Sequence, residues 1–149
     1  PCGLTAEEQE WCQVAEKSVL LQMEDAAKRY TLDQAHLYAL GNSGGCLGIF
    51  QQVKVLPAGF FRRVVCSGGM PTVTFLDPAL LREKGTRFLL LMSTEDVFDG
   101  QYTWNVGYPY LKEHGVPVEF CPVGGGSHLL GWTKALEEIY SFFEKDSRP

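Results

Sequence analysis

The stretch HLYALGNSGG, residues 36–45, decides the fold prediction. Its first five residues, from His36 to Leu40, are mostly apolar and predict a short strand that stops at Gly41. The glycines that follow begin a predicted helix that runs to about residue 55, so a sharp strand-to-helix turn is centred on Ser43. The pentapeptide Gly41–Gly45 matches G-x-S-x-G, in which glycines relieve crowding around an exposed serine. Taken alone, the pattern also fits a glycine-rich turn that holds an incidental serine.

Strands and helices alternate downstream of this turn. The sequence predicts strands at 63–67, 87–92 and 116–123, and helices at 78–84, 102–114 and 133–145. A long helix over 5–30, with Thr5 and Glu8 at capping-box spacing, precedes the first strand. Alternation of this kind predicts an α/β fold in one domain over 1–149, with a mostly parallel sheet of about four strands and helices on both faces. The predicted apolar face of the long first helix consists of Trp11, Val14, Ala15, Val19, Leu20 and Met23. That of the helix after the serine turn consists of Leu47, Phe50 and Val53, and that of the last helix consists of Leu136, Ile139, Tyr140 and Phe143.

Charge and composition exclude several classes of protein. The net charge of −5 argues against a nucleic-acid binder, since phosphate contacts need a basic face. The sequence contains neither an apolar run of the ~18 residues that span a bilayer nor a signal-peptide pattern. The five cysteines lack CxxC spacing, which argues against a zinc ribbon and slightly favours a reducing, cytoplasmic compartment. The cysteines predicted to be small buried hydrophobes are Cys46, Cys66 and Cys121. The two near the N-terminus, Cys2 and Cys12, could form a disulfide pair.

A nucleophilic serine needs a histidine that takes its proton and an acid that holds this histidine in the right tautomer. Only His114 and His128 follow Ser43 in the sequence. His114 ends a predicted helix, where a cation is favourable for electrostatic reasons alone. His128 follows a strand and a run of glycines that would let a loop carry the imidazole to the serine, so it is the predicted general base.

The acid is expected just after the strand at 87–92, at the edge of the sheet where open α/β folds place their sites. Glu95, Asp96 and Asp99 all lie in that segment, and Asp96 is the preferred candidate. The other two are alternatives, whose simpler interpretation is that of solvated turn residues. Three candidates in the order serine, acid, histidine, each following a predicted strand, strengthen the prediction more than the pentapeptide does.

On these residues the sequence resembles the α/β-hydrolase superfamily. It is most similar to the esterase and polyhydroxybutyrate depolymerase-like branches, through residues 30–45 (YTLDQAHLYALGNSGG), 64–69 (VVCSGG), 88–96 (FLLLMSTED) and 111–128 (LKEHGVPVEFCPVGGGSH). The resemblance implies Ser43 as nucleophile, Asp96 as acid and His128 as base, although Ser93 stands where the family's acid turn usually has glycine. The backbone N–H of Gly44 is predicted to donate to the oxyanion.

The predicted activity is that of a serine esterase acting on small to medium carboxylic esters, with no metal or organic cofactor. The alternatives are a peptidase or amidase with the same triad, and a non-catalytic binding protein on the same fold. Four residues are predicted to contact a small-molecule ester: Asn42, Phe98, Trp104 and Trp132.

The N-terminal part departs from the family pattern. Family members usually have several strands before the nucleophile strand, and a loop among them donates the second oxyanion N–H. This chain has only a helix there, so it resembles the C-terminal half of a hydrolase. Three explanations fit this departure: a fragment that lacks its N-terminal half, a minimal hydrolase that forms a homodimer to cover the edge of the sheet, or an inactive homologue.

Overall fold

The structure is a computed structural model that describes residues 6–97, 100–125, 128 and 131–145. Within these residues, four parallel strands form the centre of the molecule. The strands are β1 (Tyr38–Asn42), β2 (Arg63–Ser67), β3 (Arg87–Ser93) and β4 (Val118–Val123). They lie in the order β1-β2-β3-β4, and each neighbouring pair is parallel. The prediction of a parallel four-stranded α/β sheet is therefore confirmed. Since all strands point the same way, their carboxyl ends meet at one edge of the sheet.

In the part of the chain that the structure describes, six α-helices surround the sheet. They are α1 (Ala6–Ala27), α2 (Gly44–Val55), α3 (Pro78–Lys84), α4 (Gly100–Tyr102), α5 (Tyr108–Glu113) and α6 (Leu136–Glu144). A π-helix over Thr103–Gly107 separates α4 from α5, where the sequence predicts one continuous helix. Pro109 has no N–H to donate to the carbonyl of residue 105, so the regular α-helical pattern cannot pass through this point.

Helices cover both faces of the sheet, as predicted. Alternate strand residues point to opposite faces, so Val64, Phe88 and Leu90 pack with α2, α3 and α5 in the larger cluster. Val65, Leu89 and Leu91 pack with α6 in the smaller cluster on the other face. Strand β2 is buried along its whole length, as expected for a strand with neighbours and helices on every side.

Several predicted apolar faces are wrong in detail. Val14 and Leu20 of α1 are exposed while Val19 packs on the core. In α6 the buried residues are Ile139 and Phe142, whereas Leu136 and Tyr140 are exposed. Leu47 of α2 is 48% exposed, and Cys121 is only partly buried, unlike Cys46 and Cys66. Helical spacing identifies an apolar stripe, but it does not say which part of the stripe another element covers.

Some predictions lie outside the part of the chain that the structure describes. These concern Cys2 and Thr5, and the side chains of Glu8, Trp11, Cys12 and Ala15. Among the helices that are described, none combines the length and the apolar character that crossing a membrane requires.

Candidate active site

The turn between β1 and α2 holds Ser43 in a strained backbone conformation. Its φ of 51° and ψ of −120° make it the only non-glycine residue in the described part of the chain with a positive φ. Such a conformation costs about 1–3 kcal/mol and persists only where the surroundings enforce it. Here the Ser43 N–H donates to the Ser67 carbonyl at 2.8 Å, which ties the turn to the end of β2.

A glycine is required at position 41 because α2 passes directly over the end of β1. A Cβ on Gly41 would lie 2.7 Å from the backbone of Gly45 and 2.8 Å from Ile49. No larger residue fits without moving the helix away from the strand. The sharp turn predicted from the G-x-S-x-G pattern therefore has a direct steric basis.

The structure brings Ser43, His128 and Asp96 together in one hydrogen-bond chain. His128 Nε2 lies 2.8 Å from Ser43 Oγ, and His128 Nδ1 lies 2.8 Å from Asp96 Oδ2. The Asp96 side chain has no exposed surface and that of His128 is 18% exposed. The three residues follow β1, β3 and β4, so parallel strands deliver them to the same sheet edge.

Asp96 is positioned by a tight turn at the end of β3. Its N–H donates to the Ser93 carbonyl at 3.1 Å, and the Ser93 hydroxyl accepts from the Glu95 N–H at 3.1 Å. Ser93 thus takes part in forming the turn. The alternative acid Glu95 is exposed on this turn, and Asp99 lies outside the described residues.

Directly after β2, Gly68 and Gly69 pack closely against the backbones of His128 and Ser43. A Cβ on Gly68, which has φ +64°, would lie 2.6 Å from the His128 carbonyl oxygen. A Cβ on Gly69 would lie 2.9 Å from the Ser43 carbonyl oxygen. The sequence alone predicts for this pair no more than the end of a strand. Its position could have indicated a role in the site, because the pair follows a strand whose carboxyl end meets the same sheet edge.

The first turn of α2 presents backbone N–H groups beside Ser43. The first N–H groups of a helix have no partner within the helix, and they favour negative charge. Gly44 is the first residue of α2, and a Cβ there would meet nothing within 4 Å. There is therefore open space on the side of Gly44 where a side chain would lie, at the start of α2.

The four predicted substrate contacts have different surroundings. Trp104 lies on the π-helix, is 52% exposed, and lines a cavity of about 380 Å³ that also contacts Asp96. Trp132 is partly buried against the cluster under α6. Asn42 is partly buried at the end of β1, and its Oδ1 is buried with no hydrogen-bond partner. Phe98 lies outside the described residues.

Two thiols lie beneath the serine turn. Cys46 Sγ donates to the carbonyls of Gly41 and Ser67, each at 3.3 Å. A hydrogen bond with Cys46, together with burial, holds the pKa of the Cys66 thiol well above its ordinary value. A thiol in this state is a poor nucleophile, so Cys66 supports the turn by packing, while Cys46 supports it through its hydrogen bonds. Within the described part of the chain, no group of three His, Cys, Asp or Glu side chains is arranged to hold a metal ion.

Solved structures with the same arrangement of strands and helices include SOBER1 from Arabidopsis thaliana, with a TM-score of 0.69 and 17% identity over 97% of this chain. They also include esterase PE8, with a TM-score of 0.65 and 17% identity over 90% of this chain. All are α/β-hydrolase folds. The chain has a shortened α/β-hydrolase fold. A CIB-like hydrolase from Thermoplasma acidophilum has the same fold, with a TM-score of 0.63 and 10% identity over 89% of this chain.

The chain is shorter than these hydrolase-fold structures. It spans 67% of the SOBER1 chain, 61% of PE8 and 58% of the Thermoplasma protein. No protein-family model matches the chain, and no curated protein matches it in sequence. The likeness therefore establishes the fold, and the chemistry must be argued from the site.

Proposed function

We propose that the chain is a serine hydrolase that cleaves small to medium carboxylic esters, with Ser43 as nucleophile, His128 as general base and Asp96 as the orienting acid. The observation that carries the proposal is the continuous hydrogen-bond chain from Ser43 Oγ through His128 to Asp96, with two contacts of 2.8 Å. A serine is a weak nucleophile until an adjacent base accepts its proton, and these contacts supply that base. The names of two proteins with this fold, an esterase and a hydrolase, lend support.

The proposed reaction has two halves. Ser43 Oγ attacks the ester carbonyl carbon while its proton passes to His128 Nε2, and a tetrahedral oxyanion forms. The C–O bond to the alcohol then breaks, and the imidazolium returns the proton to the departing oxygen. This leaves an acyl group on Ser43. A water molecule, deprotonated by His128, attacks the acyl carbonyl, and release of the carboxylic acid regenerates Ser43.

Asp96 acts through His128 in this proposal. Its carboxylate accepts the Nδ1 proton, so Nε2 faces Ser43 without a proton and is ready to act as a base. The carboxylate also stabilises the imidazolium that forms. Because the Asp96 side chain has no exposed surface, water screens this interaction little.

The Gly44 N–H is the proposed oxyanion donor. It belongs to the first turn of α2, where backbone N–H groups lack helical partners. In the α/β-hydrolases that the sequence resembles, a second donor comes from a loop before the nucleophile strand. In this chain α1 precedes β1. Loss of one such donor costs about 10²–10³ in rate, so we expect a modest kcat unless another chain or segment supplies it.

Labelling with a fluorophosphonate tests the proposal directly, because this probe forms a covalent bond with an activated serine. We expect one equivalent of label, mapped by mass spectrometry to Ser43, and no label in Ser43→Ala. Ser141→Ala, which alters an exposed serine of α6, is the matched control and should label normally. Hydrolysis of 4-nitrophenyl acetate should disappear with the label, whereas a 4-nitroanilide should react more slowly than the ester. Undiminished turnover in Ser43→Ala would refute the triad.

We also propose that residues 1–149 act as one hydrolase domain whose β1 edge is covered by a second copy or by an N-terminal half. β1 ends the sheet, and no strand in the described part of the chain pairs with its outer edge. Leu40 on this strand is 41% exposed, and open strand edges attract partners. Sedimentation velocity at micromolar concentration should give at least a dimer of this chain, and a stable monomer would contradict the second-copy arrangement.

A further inference from the structure

A groove runs along α2 on the side that faces the loop after β2. One wall is α2, through Leu47, Gln51 and Lys54, and the other is the loop, through Met70 and Phe75. The groove encloses about 350 Å³. Its lining is largely apolar, and Leu47 and Phe75 are 48% and 62% exposed at its rim.

Both walls of the groove approach the turn that holds Ser43, although Ser43 is not among the residues that line it. Leu47 follows Ser43 by four residues and Gln51 by eight, so these positions share one face of α2 that begins at the nucleophile. On the other wall, Met70 follows Gly69, whose backbone is packed against that of Ser43. The end of the groove formed by Leu47 and Met70 therefore lies beside the turn that would carry the acyl group.

The far part of the groove contains one buried hydrogen-bond acceptor. Gln51 Oε1 is buried and has no hydrogen-bond partner. A buried polar atom without a partner is uncommon in folded proteins and costs about 1–3 kcal/mol. Lys54, one turn further, is already engaged, because its Nζ donates to the Phe75 carbonyl at 3.2 Å and bridges the two walls.

We propose that this groove binds the acyl chain of the substrate and that Gln51 accepts a hydrogen bond from a hydroxyl group on that chain. The helical rise puts Gln51 about 12 Å along α2 from Ser43, a span that suits an extended acyl chain of roughly ten carbons. The substrate class is therefore an ester of a medium-chain acid that carries a hydroxyl near its far end. The inference rests on the proposed function, since it assigns the acyl side of the same site.

The cavity beside Trp104 is the competing place for the acyl chain. It contacts Asp96, the member of the hydrogen-bond chain most distant from Ser43 Oγ, and neither Ser43 nor α2 lines it. Ser43 does not line the groove either, but the groove lies along α2, the helix that begins directly after Ser43. Geometry therefore favours the groove.

The test compares 4-nitrophenyl decanoate with 4-nitrophenyl 10-hydroxydecanoate. We expect kcat/KM to be about three- to tenfold higher for the hydroxylated ester, the value of one added hydrogen bond. Gln51→Leu should remove or invert this preference. Gln52→Leu is the matched control, because it makes the same change one residue away, outside the groove, and should retain the preference. Equal rates for both esters in the native protein, or an unchanged ratio in Gln51→Leu, would overturn the assignment.

Two further measurements separate this inference from the proposed function. If 4-nitrophenyl acetate is cleaved but the ratio of the two long esters is one, the chain is a hydrolase and the groove assignment is wrong. If no ester is cleaved, calorimetry of Ser43→Ala with methyl 10-hydroxydecanoate and methyl decanoate still decides, because Gln51-dependent tighter binding of the first supports the groove. A 4-nitrophenyl ester with a terminal carboxylate that reacts faster than the hydroxylated one would assign the specificity to Lys54 and overturn the role of Gln51.

Discussion

Two histidine–aspartate pairs in this molecule have nearly the same contact distance and very different surroundings. His36 Nδ1 lies 2.7 Å from Asp33 Oδ2, and His128 Nδ1 lies 2.8 Å from Asp96 Oδ2. The exposed fractions of the side chains are 39% and 67% in the first pair, but 18% and 0% in the second. Distance alone therefore does not distinguish a surface pair from a candidate catalytic pair.

The two pairs also differ in what holds them together. The pair of His36 and Asp33 is local, since its members are three residues apart in a turn where Asp33 Oδ1 also accepts the Ala35 N–H. His128 and Asp96 are 32 residues apart and meet because two parallel strands end side by side. Only His128 has a serine at its other ring nitrogen. Burial, tertiary support and a third partner are what make the second pair a candidate for catalysis.

The largest effect is expected when each histidine is replaced by glutamine. His128→Gln removes the proposed base and should lower kcat/KM for 4-nitrophenyl acetate by roughly 10⁴-fold or more, as expected for a triad histidine. His36→Gln makes the same change in the exposed pair and should leave the rate within about twofold. Steady-state kinetics on both variants make the comparison. Similar losses in the two variants would mean that the buried pair has no special role.

Capping and turn residues explain why parts of the fold could be predicted closely from the sequence. The strand at 63–67 and the helix at 78–84 have the predicted bounds. For the helix, Asp77 caps its first turn by accepting the Leu80 N–H, and Gly85 ends it with a φ of 71°. These signals act within a few residues, so a single sequence carries them. The π-helix over Thr103–Gly107 is not predicted by helical spacing, because that spacing does not register the missing N–H of Pro109.

The candidate site shows the same division between local and distant causes. The order of Ser43, Asp96 and His128 after successive strands predicted their meeting, because parallel strands end at one edge. The role of Gly68 could not be derived in this way. It depends on the approach of the His128 backbone, 60 residues away in the chain, and no local pattern encodes that approach.

Gly68→Ala is expected to disturb the buried pair and to leave the exposed pair unchanged. The added Cβ would lie 2.6 Å from the His128 carbonyl oxygen, so His128 must shift, and we expect kcat/KM to fall by about 10- to 100-fold. Gly85→Ala is the matched control, because Gly85 has a similar φ of 71° but open space around it. Both variants pay the cost of alanine at positive φ, whereas only the first should lose activity beyond its loss of stability. Equal activity of the two folded variants would show that Gly68 does not position His128.

The smallest effect concerns the exposed pair and its dependence on pH. The hydrogen bond from His36, followed by that from the Ala35 N–H, lowers the pKa of Asp33 below its ordinary value of 3.8. A carboxyl with a lowered pKa in the folded state contributes stability above its ordinary pKa, and this contribution is lost as the pH falls through the lowered value.

At pH 7 Asp33→Asn should lower Tm by at most about 3 °C, because exposed pairs contribute little. As the pH falls below the ordinary value of 3.8 and then through the lowered pKa, the difference should shrink, since protonated Asp33 and asparagine are equivalent in charge. Thermal unfolding of both proteins from pH 7 into acid measures this. A difference in Tm that persists unchanged at low pH would show that Asp33 acts through the shape of its turn rather than through its charge, and the exposed pair would then be a structural element of the turn before β1.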